Sequence, residues 1–351
     1  MNRNICIFSL VGLAALASGA RAQDTAPYKV LDTTQLMGSG GIDYVTADND
    51  ARRVYVPRGG QTFVFDLDNH KYIGAITNVG GHGVVVDSKS HHGFCSGKTV
   101  GMFDTTTLQK IQDITVQSRP DGILFEPFTG RVYVFSHESP SVTVIDPADG
   151  SIAGTIDIGG AMEQAQSDGQ GKVYADMEDE KQVAVIDAKT LKVITKYDLG
   201  GTAGNPAGLG LDAKNHILFA MCRQPDVCVV LGADDGKVLA TLPIGSGTDG
   251  GGFNPATLEA FSSQRDGTLT IIKENSSTNF VVEQTVQTKP GCKTSSLDTK
   301  NNRIVLICVE KLPGAAPAAT NAPAATNAPA GEKRGGGRGG PGILDVVFVG
   351  R

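Results

Sequence analysis

Internal repetition constrains this chain more than any single motif. The run Arg53-Val54-Tyr55-Val56 returns at residues 131–134 and, more loosely, at residues 172–175. A second apolar run that ends in aspartate recurs with spacings of 38, 42 and 41 residues, at Asp66, Asp104, Asp146 and Asp187. Fainter copies continue through residues 217–219, 258–261 and 304–306. A period of about 40 residues indicates one supersecondary unit copied along the chain, here seven times.

One unit, residues 121–158, shows what each copy contains. Its four runs of β-branched and aromatic residues, at 122–125, 131–135, 142–145 and 152–158, are separated by turns rich in Gly, Pro and Asp. This pattern predicts a four-stranded antiparallel meander, which is a propeller blade when it is repeated. We therefore predict an all-β fold, a seven-bladed β-propeller. The chain has no Trp, which excludes the WD-type blade motif.

The Val-Tyr-Val and Val-Ile-Asp motifs of these units resemble those of the YVTN-repeat family of exported seven-bladed β-propellers. The resemblance covers residues 27–351 and implies the propeller fold. It implies little about activity, because most members of that family are uncharacterised and function resides in sites rather than in folds.

The last unit is one strand short of a complete blade. It supplies strand-like runs at 294–297, 303–309 and 344–349, after which the chain stops. Residues 28–36 have the pattern of an outermost strand. We therefore predict that the N-terminal strand completes the seventh blade, which closes the ring and removes an exposed sheet edge. Residues 23–351 then form a single propeller domain.

The first 22 residues read as a signal peptide. Arg3 precedes a mostly apolar stretch at residues 5–17, and Ala20-Arg21-Ala22 matches a cleavage site. The alternative, a membrane anchor, is disfavoured because a spanning helix needs about 20 apolar residues. We expect cleavage near Ala22, a periplasmic or secreted protein and no membrane span.

A low-complexity insertion, residues 313–342, interrupts the last blade between its second and third strands. Ala-Pro-Ala-Ala-Thr-Asn occurs twice, and a Gly-rich segment follows with Lys333, Arg334 and Arg338. Such a composition cannot bury a core, so we expect an irregular loop. Its basic residues could contact an anion or an envelope polymer; the alternative is a neutral expansion of a tolerant loop.

Five cysteines remain after cleavage, an odd number. Cys222 and Cys228 flank a turn-like segment, and Cys292 and Cys308 lie on either side of another, so each pair is a candidate disulfide. The alternative is buried thiols, and Cys95 is left over as a core residue. The chain has no C-x-x-C-H motif, which excludes covalent haem.

Aligning the seven units places charged residues at or next to one position, where each innermost strand begins. They are Asp43, His82, Asp121, Glu163, Asp249 and Lys293, with Ala207 in the fifth unit. The loops between second and third strands open on the same side and add Arg58, Lys98, His137, Glu138, Arg223 and Arg265. Because these segments converge at the mouth of the central channel, this is the candidate ligand site.

Two functions fit this site. The first is a binding or interaction module for a small polar ligand or a partner protein. The alternative is a metal-dependent hydrolase of lactone type, in which His82, Asp43, Asp121 and Asp249 hold Ca, Mg or Zn and Glu163 is the base. A third interpretation is that the channel is merely hydrated.

The remaining sequence features favour a role without catalysis. No G-x-S-x-G, H-E-x-x-H, Walker or dinucleotide motif occurs. The formal net charge of −6 argues against nucleic-acid binding, which requires a basic surface. Since a propeller ring is self-contained, we expect a monomer.

Overall fold

The computed structural model describes residues 26–139, 141–201, 203–312 and 339–351. Throughout these ranges the regular secondary structure consists of β-strands, which form seven four-stranded antiparallel sheets. The predicted seven-bladed propeller is confirmed. No helix of the described residues is long and apolar enough to span a bilayer. The predicted signal peptide, residues 1–22, lies outside the described residues.

The strands follow one another blade by blade, except that the first strand, β1 (Lys29–Ser39), belongs to the last blade. Blade 1 contains β2 (Thr46–Asp48), β3 (Arg53–Arg58), β4 (Gln61–Asp66) and β5 (Tyr72–Thr77). Blade 2 contains β6 (Val84–Asp87), β7 (His92–Ser96), β8 (Val100–Asp104) and β9 (Lys110–Ile114). Blade 3 contains β10 (Pro120–Glu126), β11 (Arg131–Ser136), β12 (Val142–Ile145) and β13 (Ile152–Ile156). Blade 4 contains β14 (Met162–Ser167), β15 (Lys172–Met177), β16 (Gln182–Asp187) and β17 (Lys192–Asp198).

Blade 5 contains β18 (Gly204–Asp212), β19 (Ile217–Gln224), β20 (Asp226–Gly232) and β21 (Val238–Pro243). Blade 6 contains β22 (Thr248–Asn254), β23 (Glu259–Gln264), β24 (Thr268–Ser276) and β25 (Asn279–Gln287). Blade 7 contains β26 (Thr294–Asp298), β27 (Arg303–Lys311), β28 (Pro341–Gly350) and β1.

The repeated tyrosines of the Val-Tyr-Val motif pack between blades. Tyr133 of blade 3 lies in one apolar cluster with Val173 of blade 4, and Tyr174 of blade 4 lies in another with Leu218 of blade 5. The Tyr133 hydroxyl donates a hydrogen bond to the Ala188 carbonyl at 3.1 Å. Burying an aromatic side chain stabilises the fold by about 2–3 kcal/mol, so each of these tyrosines stabilises the packing of its blade against the next.

The repeated aspartates have a different role, in the turns between third and fourth strands. Asp66 Oδ1 accepts hydrogen bonds from the backbone N–H groups of Asp68 and Asn69, both at 2.8 Å. Asp104 Oδ1 makes the equivalent contacts in blade 2. Carboxylates that accept from the backbone two and three residues ahead are typical of Asx turns. These aspartates therefore recur because each blade needs the turn.

The ring closes as the sequence predicts. In blade 7 the strand order is β1-β28-β27-β26, and β1 pairs with β28 from Lys29↔Gly350 to Ser39↔Pro341. β28 begins at Pro341 and not at Leu344, so the last residues of the predicted insertion belong to this strand. Residues 313–338 of the insertion lie outside the described residues.

Arg58, predicted from the sequence to lie at the channel mouth, is fully buried beside this closure. Its guanidinium group donates to the Gly38 carbonyl of β1 at 2.9 Å and to the Gly342 carbonyl of β28 at 3.0 Å. A third bond reaches the Gly40 carbonyl at 3.3 Å. Arg58 thus ties blade 1 to the two strands that close the ring, and burial lowers the pKa of its guanidinium group.

The two predicted disulfides have different outcomes. All five described cysteines are buried. A Cys222–Cys228 bridge was the wrong prediction: Cys222 faces the cluster shared with blade 4 and Cys228 faces the cluster shared with blade 6, on opposite sides of one sheet. The Cys292 and Cys308 sulfur atoms lie 2.7 Å apart, and their disulfide stays a prediction.

Two acidic side chains meet between blades 5 and 6, at the end of the ring opposite the innermost strand starts. Asp212 is 2% exposed and Glu274 is 1% exposed. The Asn215 side chain donates to Glu274 Oε1 at 2.8 Å. Burial raises the pKa of Glu274 from 4.5 to about 7, and the Asp212 carboxyl group beside it adds to this effect. Glu274 and Asp212 can share a hydrogen bond only when one of the two carboxyl groups is protonated, so their proximity favours the protonated form of Glu274.

Replacing Arg58 should weaken ring closure. We expect Arg58→Met to lower the free energy of unfolding by about 3 kcal/mol, because it leaves two or three buried carbonyls without a donor. Chemical denaturation monitored by circular dichroism measures the change. Arg265→Met is the matched control, since the Arg265 side chain is 62% exposed and should change stability by less than about 0.5 kcal/mol. Equal effects of the two substitutions would contradict the role given to Arg58.

Glu274 should make stability depend on pH. Its folded-state pKa lies above its unfolded value, so its contribution is full below about pH 4.5 and is lost as pH rises through about 7. We expect Glu274→Gln to remove a decline of up to about 3 kcal/mol over that window. Denaturation series from pH 4.5 to 8 on this variant, the parent protein and the exposed control Glu138→Gln provide the measurement. A Glu274→Gln profile parallel to the parent would show that the pair is not linked to folding.

Candidate functional site

The innermost strands bring the predicted charged residues to one end of the ring. Lys293 directly precedes β26, and His82 and Asp43 lie two and three residues before β6 and β2. Asp121, Glu163 and Asp249 are the second residues of β10, β14 and β22. In blade 5 the equivalent region holds the buried, uncharged Ala207. There the sector is filled by Arg223, which lies near the end of β19.

On one side of the mouth, acids and histidines alternate. His82 Nδ1 lies 2.8 Å from Asp43 Oδ2 and 3.4 Å from Asp121 Oδ1. His137 Nε2 lies 2.6 Å from the other oxygen of Asp121, Oδ2. The side chains of these four residues are 13–20% exposed. The predicted His137 thus joins the three residues predicted from the strand starts.

On the other side, acids alternate with permanent cations. Lys293 Nζ contacts Asp43 Oδ1 at 2.8 Å and also Asp249, which in turn contacts Arg223. The Arg223 guanidinium group lies 2.7 Å from Glu178. Because Lys293 bridges two carboxylates and Arg223 links one of them to a third, this side is held together by charge-assisted hydrogen bonds.

Glu163 joins the two sides into a closed circuit. Its Oε1 lies 3.8 Å from Arg223, and its Oε2 accepts a hydrogen bond from the Tyr44 hydroxyl at 3.2 Å. The negative charges of Asp121, Glu163 and Asp43 act on the Tyr44 hydroxyl group. Burial and these negative charges raise the pKa of Tyr44 well above its ordinary value, so the phenol remains a donor.

The circuit shifts the pKa values of its histidines and of Asp121. Burial alone would lower the pKa of His82, but hydrogen bonding to Asp43 and the charge of Asp121 raise it overall. The hydrogen bond to Asp121 raises the pKa of His137. Burial raises the pKa of Asp121 in spite of the hydrogen bond from His137. The histidines therefore retain their protons, and with them a positive charge, to higher pH than free imidazole does.

Asp176 lies near the cationic side and is fully buried. Both of its carboxylate oxygens lack a hydrogen-bond partner. Burial raises its pKa well above the ordinary value, and the charge of Glu163 adds to that shift. The protonated, neutral form of Asp176 is thereby favoured, which limits the negative charge beneath the mouth.

The other predicted residues lie around or outside the circuit. Arg265 is an exposed rim residue 3.6 Å from Asp249. Lys98 and Glu138 are exposed. Tyr44 and Glu178 were not predicted. Glu178 could have been found, because it follows the second strand of blade 4 just as His137 follows that of blade 3.

Gln164 closes part of the channel next to the circuit. Its Oε1 accepts hydrogen bonds from the backbone of Leu209 and Gly251, both at 3.0 Å, so one side chain links blades 4, 5 and 6. Glycine permits this approach: a Cβ on Gly208 would lie 2.7 Å from the Gly250 carbonyl carbon. The innermost strands of blades 5 and 6 are therefore in direct contact. The charged groups line the part of the channel mouth that remains open.

No family model matches the chain, so the resemblance to YVTN repeats stays a prediction, and no curated protein is similar to it in sequence. Solved structures are similar in fold. A chain from the "Crystal Structure of Mitotic Checkpoint Complex" has a TM-score of 0.69 at 13% identity, over 87% of this chain and 96% of that one. The "Crystal structure of RRP9 WD40 repeats" also has a TM-score of 0.69, at 11% identity, over 92% and 100%.

A third neighbour, from "Kuenenia stuttgartiensis Hydrazine Synthase", has a TM-score of 0.66 at 15% identity and covers 76% of this chain and 92% of that one. At these identities the likeness concerns the fold alone. What the comparisons establish for this chain is the β-propeller fold, shared with WD40-repeat structures although the chain has no Trp.

Proposed function

We propose that this chain is a binding and interaction module that recognises a polar, charged group at the channel mouth. A small ligand or a loop of a partner protein would present this group. We also propose that the first 22 residues direct export to the periplasm or beyond. A fold neighbour that comes from a protein complex agrees with an interaction role.

The observation that carries the proposal is the circuit of opposite charges, which the neutral Tyr44 hydroxyl group completes at Glu163. The side chains of Asp43, Lys293 and Arg223 are 16–18% exposed, so they are largely desolvated yet still open to the channel. Charge-assisted hydrogen bonds are stronger in such a setting than in water. A ligand with an anionic or a cationic group can replace one internal partner, whereas an uncharged ligand would leave a buried charge unpaired.

The pairing of charges in the circuit suits ligand binding better than catalysis. Each acid and base in it is engaged with a partner of opposite charge, an arrangement that suits recognition. The sequence offers no nucleophile motif beside it. We therefore favour a role in binding over a role in turnover.

Substitution at the cationic side should change ligand affinity. We expect at least one class in a panel of dicarboxylates, amino acids, sugar phosphates and polyamines to raise the melting temperature of the parent protein. Arg223→Met should bind an anionic ligand at least about 10-fold more weakly, and a polyamine more tightly, because it leaves the carboxylates around Arg223 without their cation. Calorimetric titration measures both affinities. Lys172→Met, on the opposite end of the ring, is the matched control and should bind like the parent.

A partner protein should follow the same pattern. It should be retained by immobilised parent protein and by Lys172→Met, and released from Arg223→Met. Binding that is identical for all three proteins, or a complete lack of binding in both experiments, would refute recognition at the mouth.

A further inference from the structure

Three ligand atoms of the acid and histidine side converge on one point. The metal-binding atoms of Asp43, His82 and Asp121 all lie within 4.8 Å of one another. We propose that these residues bind a divalent transition metal, with zinc as the best match, whose remaining coordination position takes an oxygen ligand. His82 Nδ1 releases its proton when the metal binds, because only a neutral imidazole nitrogen can be a ligand. This inference goes beyond the proposed function, because metal binding is measured directly and does not depend on any ligand of the mouth.

The carboxylates are already oriented for this role. The outer oxygen of Asp43, Oδ1, is held by Lys293 at 2.8 Å, and the outer oxygen of Asp121, Oδ2, is held by His137 at 2.6 Å. The inner oxygens consequently face His82 Nδ1, at 2.8 and 3.4 Å. Protein metal ligands are typically fixed by such outer hydrogen bonds, which set the direction of the coordinating atom.

One of the inner oxygens has no other partner. Asp121 Oδ1 is buried and accepts no hydrogen bond, although it carries part of a negative charge. A buried carboxylate oxygen in this state costs about 1–3 kcal/mol or more. A cation bound between the three residues would satisfy Asp121 Oδ1 at once.

The donor set selects the metal. One imidazole nitrogen with two carboxylate oxygens suits zinc, whose bonds to N and O are about 2.0–2.2 Å, so two of its tetrahedral ligands lie about 3.4 Å apart. The distances of 2.8 and 3.4 Å from His82 approach this geometry. Calcium prefers six to eight oxygen ligands, so a set of three ligands that includes a histidine nitrogen is a poor match for calcium.

Asp249, the fourth ligand predicted from the sequence, is omitted from the proposed set. Lys293 and Arg223 contact its carboxylate, and Arg265 lies 3.6 Å away. Three cations around one carboxylate repel a metal ion. Three protein ligands leave an open position at the metal, and a carboxylate or carbonyl oxygen of a ligand could fill it.

Zinc stoichiometry tests the proposal. Full-length protein without a histidine tag, dialysed to remove chelator and equilibrated with Zn²⁺, should contain about one equivalent by elemental analysis. His82→Gln and Asp121→Asn should each retain less than about a tenth of an equivalent under the same conditions. His91→Gln is the control. It changes one of two histidines that are adjacent in the chain, His91 and His92, at the opposite end of the ring, and it should retain the full equivalent.

The role of His137 has its own readout. Because His137 orients Asp121, we expect His137→Gln to bind zinc about 10–100-fold more weakly while reaching the same stoichiometry at saturation. Co²⁺ added to the parent protein should produce the visible absorption bands of a four- or five-coordinate site, which keeps the test valid if His82→Gln fails to fold. Absence of both zinc and cobalt binding, or metal retained by His82→Gln and lost by His91→Gln, would overturn the proposal. It would also remove the lactone-hydrolase alternative, which requires this metal, while leaving ligand binding through Arg223 open.

Discussion

The pairing of β1 with β28 is the contact on which the rest of the structure depends. Every other blade is a local meander, whereas blade 7 joins the two ends of the chain. Seven interblade clusters can all be buried only if the ring is closed, because an open ring would expose the faces of its first and last blades. Arg58 reinforces this contact from blade 1 by donating to carbonyls of both closing strands.

Closure of the ring also makes the charged circuit feasible. Asp43 belongs to the start of blade 1 and Lys293 to the start of blade 7, 250 residues apart, and their ion pair exists only once the ends have met. The circuit then crosses every blade sector, with Arg223 replacing the absent charge at Ala207. Folding thus assembles the candidate site and the ring together, and a change that loosens blade 7 should disturb both.

The sequence predicted the blades and their closure because those features repeat or extend a repeat. It also predicted the mouth residues Asp43, His82, Asp121, Glu163, Asp249 and Lys293, since the period fixes where each innermost strand begins. It misplaced Arg58, because a shift of one residue along a strand reverses the direction of a side chain. The same uncertainty made Cys222 and Cys228 look like partners, although they face opposite sides of the sheet.

Residues that recur in every blade differ in role from residues that vary between blades. The tyrosines and turn aspartates recur because each blade needs the same packing and the same turns, so repetition is the sign of a structural role. At the strand starts the fold requires no particular side chain, yet the units carry aspartate, histidine, glutamate and lysine there. Because these unlike residues complement one another in charge, as Lys293 does between Asp43 and Asp249, their variation is better explained by a shared site than by drift in a hydrated channel.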